Sequence, residues 1–184
     1  MRAIIPFSEG FEEIECLTVV DLLRRAEIEV CLAGVNESMV TGRSQVTIQA
    51  DNLLDEVLDQ DWDMVILPGG LPNAFTLRDD SRVQQLVRRL ADEGRELAAI
   101  CAAPVALAAY GVVGSRRITS YPGCDSEIMQ SEPQAIYCDD NAVVEEPLLI
   151  TSRGPGTSMA FALRLVARLC GEERAATVQQ ELLA

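Results

Sequence analysis

The segment 96–107, with the sequence ELAAICAAPVAL, places a cysteine between a short apolar strand and a helix. A cysteine at such a junction can act as a nucleophile, whereas most buried cysteines are inert hydrophobic residues. The positive end of the helix macrodipole favours a thiolate there, and Pro104 suits the first turn of that helix. Cys101 is therefore a candidate nucleophile, and an inert core cysteine is the alternative.

Three further segments place polar or glycine-rich residues at the ends of predicted strands: SEGFEEIE at 8–15, LPGG at 67–70 and TSRGPGT at 151–157. In an open parallel sheet, ligands bind outside the carboxyl ends of the strands, so these loops are expected to meet around Cys101. The backbone N–H groups of Ala102 and of Gly69 or Gly70 are predicted to form an oxyanion pocket there.

These loops depend on an alternation of strands and helices along the chain. A single domain is predicted over residues 1–184. Its strands are predicted at 2–7, 28–34, 63–70 and 96–101, with further strands in 116–121 and 142–156. A hairpin at the edge of the sheet is predicted at 39–50. Helices are predicted at 12–25, 81–92, 103–111, 157–171 and 172–183, with Ser81 as an N-cap. This alternation is typical of an α/β fold with a mostly parallel sheet covered on both faces.

Composition excludes several classes of function. The chain of 184 residues has a net charge of −14, which disfavours nucleic-acid binding by general electrostatics. It has no lysine for Schiff-base chemistry and no histidine for a Cys–His dyad, so cysteine peptidase activity is disfavoured. Its apolar runs are too short to span a membrane and its N-terminus lacks signal-peptide features, so a cytoplasmic location is predicted.

The six cysteines include no C-x-x-C pair, and a zinc site without histidine would need four of them. We therefore expect no metal and no cofactor. Most of these cysteines are expected to be reduced, because a chain with a sizeable core does not need a disulfide framework.

The motifs AAICAAP, VILPGG, SEGFEEIE and TSRGPGTSMAFAL together resemble the ThiJ/PfpI superfamily, a class I glutamine amidotransferase-like group. The match is closest to the branch of the human parkinsonism-associated protein deglycase and its small bacterial relatives. The resemblance implies a flavodoxin-like three-layer sandwich with a cysteine nucleophile elbow, usually as a homodimer. It also implies that Cys101 is the reactive elbow cysteine, that Glu15 hydrogen-bonds it, and that Gly69 and Gly70 form the oxyanion loop.

A carboxyl group next to a thiolate tends to stay protonated, because two adjacent negative charges are unfavourable. A protonated Glu15 can donate a hydrogen bond to the thiolate or to a sulfinate, or exchange a proton with a substrate. Without the resemblance, Glu15 is more simply an exposed helix acid. Glu12 and Glu13 are interpreted as first-turn acids that complement the helix dipole.

The sequence departs from the pattern of that superfamily at two positions. Ala102 follows the cysteine where the peptidase-like branch carries histidine, and Tyr121 lies in the segment where many close relatives place a histidine near the pocket. Tyrosine donates hydrogen bonds but is a poor base near neutral pH.

Several other residues are placed near the pocket with less support. Pro155, within Gly154-Pro155-Gly156, is predicted to shape the pocket wall, and Ser152 and Arg153 are candidates for bonds to the loops near Cys101. Arg25 either complements the dipole of the first helix or reaches the pocket across a dimer interface.

Two functions follow from these residues. In the first, Cys101 attacks a small dicarbonyl such as methylglyoxal, or a glycated adduct, and Glu15 moves the protons in a glyoxalase or deglycase reaction. In the second, the protein is a non-catalytic redox sensor or chaperone in which Cys101 is oxidised to a sulfinate held by Glu15. The sequence does not identify the physiological substrate.

Overall fold

Strands from the whole length of the chain form the central sheet, as seen in a computed structural model that describes residues 1–184. The eleven strands are β1 (Arg2–Phe7), β2 (Glu29–Gly34), β3 (Met39–Thr41), β4 (Thr47–Gln49), β5 (Asn52–Leu53), β6 (Met64–Leu67), β7 (Glu96–Ile100), β8 (Arg117–Ile118), β9 (Ile136–Tyr137), β10 (Val143–Glu146) and β11 (Leu149–Ser152). Seven of them lie side by side in the order β10-β11-β7-β6-β1-β2-β5. Only β10 runs antiparallel to its neighbour, so the predicted mostly parallel sheet is confirmed.

Eight helices cover this sheet. They are α1 (Glu13–Arg25), α2 (Leu54–Val57), α3 (Asn73–Asp79), α4 (Ser81–Asp92), α5 (Pro104–Ala109), α6 (Asp125–Ser131), α7 (Ser158–Cys170) and α8 (Glu172–Glu181). No helix of the chain is both long enough and apolar enough to span a bilayer.

Alternating residues of the strands face two separate hydrophobic cores. In β1, Ile5 belongs to the core that contains α1, α7 and α8, whereas Ile4 belongs to the core that contains α3, α4 and α5. Met64 and Val65 of β6 divide in the same way. Successive side chains of a strand point to opposite faces, so a strand that is apolar throughout must be covered on both sides. The result is a three-layer α/β sandwich of flavodoxin type, as the family resemblance implies.

The structure differs from the predicted elements in its smaller parts. The hairpin of β3 and β4 forms a separate two-stranded sheet and not an edge of the main one, and β8 pairs only with β9. Helices α3 and α6 were not predicted, because each is only seven residues long and follows a Pro- or Gly-containing turn. Helix α4 has the predicted bounds, but its N-cap is Asp80 and not Ser81, since the Asp80 side chain accepts from the N–H groups of Arg82 and Val83.

Asn73, the first residue of α3, joins two of the loops at the carboxyl edge of the sheet. Its Oδ1 accepts from the backbone N–H and the hydroxyl of Ser8, at 2.8 and 3.0 Å. Its Nδ2 donates to the carbonyls of Pro68 and Gly69, at 2.7 and 3.0 Å. Because Asn73 is fully buried, water cannot replace these partners.

Replacing Asn73 with alanine is expected to lower the free energy of unfolding by about 2–4 kcal/mol, because it leaves buried donors and acceptors without partners. Urea denaturation of both proteins measures this difference. The matched control is Asn141→Ala, since Asn141 is exposed and its change should stay within about 0.5 kcal/mol. Equal stability of the two variants would contradict the role given to Asn73.

Candidate active site

Cys101 occupies a strained turn directly after β7. Its φ of +64° lies in the left-handed region, which residues with a Cβ rarely adopt. The turn is fixed on both sides, because the Cys101 N–H donates to the Ser152 carbonyl at 2.9 Å and its carbonyl accepts from the Tyr121 N–H at 2.7 Å. This is the geometry of a nucleophile elbow, which raises a side chain above the edge of the sheet.

Glu15 reaches this elbow from the first turn of α1. The residue is completely buried, and its Oε2 accepts a hydrogen bond from the Gly69 N–H at 2.9 Å. Its Oε1 is also buried and has no hydrogen-bond partner. The carboxyl group faces the Cys101 thiol closely enough for each to shift the pKa of the other. The alternative of an exposed helix acid is therefore wrong.

Burial raises the pKa of the Glu15 carboxyl from 4.5 to about 7, against the smaller lowering effects of the Cys101 thiol and the Gly69 N–H. Burial and the charge of an ionised Glu15 likewise raise the pKa of the Cys101 thiol, to about 12. The N–H groups of Gly70 and Ala102 lower it. A thiolate next to an ionised Glu15 is thus strongly disfavoured, and an ionised sulfur requires the proton to be on Glu15.

These findings correct the reason given for a thiolate at Cys101. Helix α5 begins only at Pro104 and has six residues, so two residues, Ala102 and Ala103, separate Cys101 from the helix. The groups that favour the thiolate are two local backbone N–H groups and a protonated Glu15, which becomes a third donor once its charge is gone.

The two glycines of the 67–70 loop have different roles. The N–H groups of Gly70 and Ala102 lower the pKa of the Cys101 thiol, as expected for the donors of an oxyanion pocket. The Gly69 N–H is not available for this, because it already donates to Glu15. The prediction that Gly69 supplies an oxyanion N–H is therefore corrected: Gly69 positions the acid.

The sulfur opens into a cavity of about 290 Å³. Its walls are Arg43, Gly70, Leu71, Cys101, Ala102, Tyr121 and Pro155. Tyr121 and Pro155 were predicted in the pocket and lie in its wall, and the Tyr121 side chain rests against Gly154. Arg25 does not line this cavity; it pairs with Asp21 at the far end of α1, at 3.0 Å. Its proposed reach across a dimer interface stays a prediction.

Arg43, and the two acids that bind its turn, were not indicated by any sequence motif. Arg43 lies in the tight turn between β3 and β4 and pairs with the Glu12 carboxylate at 3.3 Å. The Glu13 carboxylate accepts from the N–H groups of Ser44 and Val46, at 2.8 and 3.4 Å. Both acids are buried at the N-terminus of α1, so in addition to complementing the helix dipole, as predicted, they anchor the turn that carries Arg43. A signal was present, because Arg43 is the only cationic side chain between residues 26 and 77.

No group of three or more cysteine and acidic side chains in the structure is arranged to hold a metal ion. Cys16, the neighbour of Glu15, is buried, and burial raises its pKa strongly, so it packs as a hydrophobic residue.

Comparison with known proteins places this elbow in a family. The model of the DJ-1/PfpI family matches residues 1–168. The chain belongs to the DJ-1/PfpI family. Among DJ-1/PfpI proteins, the chain is 39% identical to the protein dj-1beta of Drosophila melanogaster over 183 residues, covering 98% of this chain and 96% of the relative. The crystal structure of Drosophila DJ-1beta superimposes with a TM-score of 0.95 at 38% identity, covering 100% of this chain and 97% of the other.

Two further DJ-1/PfpI relatives bear on chemistry. A Caenorhabditis elegans protein named glutathione-independent glyoxalase DJR-1.2 is 34% identical over 166 residues, covering 90% of this chain and 87% of that protein. The structure titled Toxoplasma gondii DJ-1, oxidized, has a TM-score of 0.92 at 30% identity and covers 99% of this chain and 97% of the other.

The elevated pKa of Glu15 makes the stability of this DJ-1/PfpI protein depend on pH. A carboxyl whose pKa rises on folding stabilises the fold fully below its unfolded value of 4.5, and this contribution is lost as pH rises through about 7. Relative to Glu15→Gln, the wild type is expected to lose at most roughly 3 kcal/mol of unfolding free energy between pH 5 and pH 8.5. Urea unfolding of both proteins across this range measures it; parallel pH profiles would contradict the buried, protonated acid.

Gly69→Ala is expected to force the acid and the thiol apart. A Cβ on Gly69 would lie 2.5 Å from the Glu15 Oε2 and 2.6 Å from the Cys101 Cβ. We expect a loss of about 1–3 kcal/mol in the free energy of unfolding, since neither neighbour can move without breaking a buried contact. The matched control is Gly156→Ala, where an added Cβ meets no atom within 4 Å. A Gly69 variant as stable as this control would show that the contact is not tight.

Proposed function

We propose that this protein is a cysteine-dependent stress-response enzyme that acts on reactive dicarbonyls or on glycated adducts, by glyoxalase or deglycase chemistry. The observation that carries the proposal is the pairing of the elbow thiol of Cys101 with a fully buried acid, Glu15, at the base of an open cavity. A carboxyl with a pKa of about 7 is matched to proton transfer near neutral pH. The relative named as a glyoxalase in Caenorhabditis elegans supports the same chemistry.

The first step is addition of the thiol to the aldehyde carbon of a dicarbonyl. The Cys101 Sγ forms a bond to that carbon, and the carbonyl electron pair takes up a proton, which gives a hemithioacetal. The N–H groups of Gly70 and Ala102 lie where they can stabilise developing negative charge. Glu15 takes the proton that leaves the thiol, because no histidine or lysine is present.

The second step moves a hydrogen within the bound substrate. An ionised Glu15 removes the proton on the former aldehyde carbon and returns it to the neighbouring carbon, which turns the hemithioacetal into a thioester of a 2-hydroxy acid. Water then cleaves the thioester and restores the thiol. The sum for methylglyoxal is addition of one water to give lactate, with no oxidant and no cofactor.

Glycated thiols or amines enter the same route. Such an adduct already carries the dicarbonyl carbon skeleton on a sulfur or a nitrogen. Transfer of that skeleton to Cys101 releases the free thiol or amine, and the remaining steps are identical. The 290 Å³ cavity is open enough for the leaving portion to remain outside.

Cys101→Ser and Glu15→Gln are each expected to lower kcat/KM for methylglyoxal by about 100-fold or more, because one removes the nucleophile and the other the proton carrier. Lactate formation in steady state measures both. Glu15→Gln retains a side-chain N–H donor, so it should still allow alkylation of Cys101 while it abolishes turnover.

The matched control is Cys138→Ser, which removes a partly exposed thiol outside the cavity. This variant should keep wild-type turnover. If Cys101→Ser turns over methylglyoxal as fast as this control, the proposed catalytic role of Cys101 is wrong.

A second candidate function is a redox sensor or redox-regulated chaperone in which Cys101 is oxidised to a sulfinate. The observation that favours it is the buried Oε1 of Glu15, which has no partner in the reduced protein and could donate its proton to a sulfinate oxygen. Two peroxide molecules supply the two oxygens, and each is reduced to water. The Toxoplasma gondii relative whose structure is titled oxidized is in line with this reading.

Limited peroxide is expected to add two oxygens selectively at Cys101, and Glu15→Asp should lower the yield of that species because the shorter side chain withdraws the donor. Intact-mass spectrometry with peptide mapping measures the site. Equal oxidation of Cys124 or Cys138 would count against the sensor function. The expected homodimer and the cytoplasmic location also stay predictions.

A further inference from the structure

A second cavity adjoins the one that contains Cys101. It has a volume of about 270 Å³ and shares Tyr121 and Pro155 with the first. Its remaining walls are Pro122, Arg153, Gly154, Gly156 and Thr157. Neither the dicarbonyl chemistry nor the oxidation described above uses this space.

Arg153 is the only charged residue that lines the second cavity. It follows β11 as Cys101 follows β7, and these strands are paired, with Ser152 opposite Ile100. Neighbouring strands lie about 4.8 Å apart, so the two side chains start from adjacent positions at the same sheet edge. A ligand attached to the Cys101 sulfur that extends past Tyr121 and Pro155 therefore enters the cavity that Arg153 lines.

The guanidinium of Arg153 is the least engaged in the protein. The other fourteen of the fifteen arginines each donate at least one side-chain hydrogen bond. Arg153 has only two long ion pairs, at 3.7 and 3.9 Å, to the exposed carboxylates of Asp139 and Asp140. Exposed pairs at such distances contribute little, so its planar set of donors remains available.

We propose that Arg153 is a specificity-determining residue that binds a carboxylate on the substrate, and that the preferred substrates are aldehydes or glycated adducts with a carboxylate a few bonds from the reactive carbonyl. The guanidinium fork matches the two oxygens of a carboxylate. A phosphate dianion would need a further cation, and the walls of this cavity contain none. The inference rests on the proposed addition of Cys101 to an aldehyde and adds to it the class of substrate.

Methylglyoxal alone is too small to use this arrangement, since its three carbons fit within the first cavity and it carries no charge. A glycated amino acid, in contrast, has a carboxylate on the leaving portion. The second cavity thus favours anionic adducts over free neutral dicarbonyls.

The test uses a matched pair of aldehydes, 4-oxobutanoate and butanal, which differ in the carboxylate. Each forms a hemithioacetal reversibly: C–S and O–H bonds form, the S–H bond and the carbonyl π bond break, and no group leaves. The concentration of aldehyde that halves the rate of Cys101 alkylation by iodoacetamide, followed by intact mass, reports binding without any turnover.

The wild type is expected to be protected by 4-oxobutanoate at about tenfold lower concentration than by butanal, as for one charge-assisted hydrogen-bonded pair. In Arg153→Gln the ratio should fall to about one, and in Arg153→Lys part of it should return. Thermal unfolding verifies that each variant is folded; the weak, exposed ion pairs of Arg153 predict little change.

The variant Arg43→Gln shows which of two arginines binds the carboxylate. Arg43 lines the cavity of Cys101, and Arg153 lines the second cavity. Loss of the preference in this variant but not in Arg153→Gln would assign the carboxylate to Arg43 and overturn the inference. Equal protection by the two aldehydes in the wild type would also overturn it, and would leave the proposed function intact. Protection by neither aldehyde would overturn the proposed function and this inference together.

Discussion

The burial of one carboxyl group, that of Glu15, determines how the rest of the site is built. A buried acid needs partners, and this one accepts a hydrogen bond from the Gly69 N–H and lies beside the thiol of Cys101. Asn73 therefore holds the Gly69 loop against the first strand, and the absence of a Cβ at Gly69 lets acid and thiol approach each other. Each of these residues is on a different element, so the sandwich has to be complete before the pair exists.

The absence of histidine changes the role of that acid. In a Cys–His dyad the imidazole takes the thiol proton and a carboxyl only orients it. In the proposed reaction the carboxyl itself takes the proton, and burial raises its pKa to about 7, near the value an imidazole would have. The buried environment thus gives a glutamate a pKa close to that of a histidine.

The sequence predicted well what depends on local patterns. Apolar strands, the bounds of α4 and the cysteine at the end of β7 follow from periodicity and turn chemistry. The sequence did not predict contacts between residues far apart along the chain. These are the hydrogen bonds of Asn73 with Ser8 and of Glu13 with Ser44, and the ion pair of Arg43 with Glu12. Those contacts depend on how the loops converge in three dimensions. The sequence also does not predict the different roles of Gly69 and Gly70, because these depend on the direction of each N–H group.

The left-handed backbone of Cys101 has a consequence for how this protein can change. Glycine would occupy that φ without the backbone strain, about 1 kcal/mol, that a Cβ adds there. Relief of backbone strain, taken alone, would therefore favour glycine over cysteine at this position. The proposed nucleophile thus occupies a position where backbone strain opposes any residue that carries a side chain.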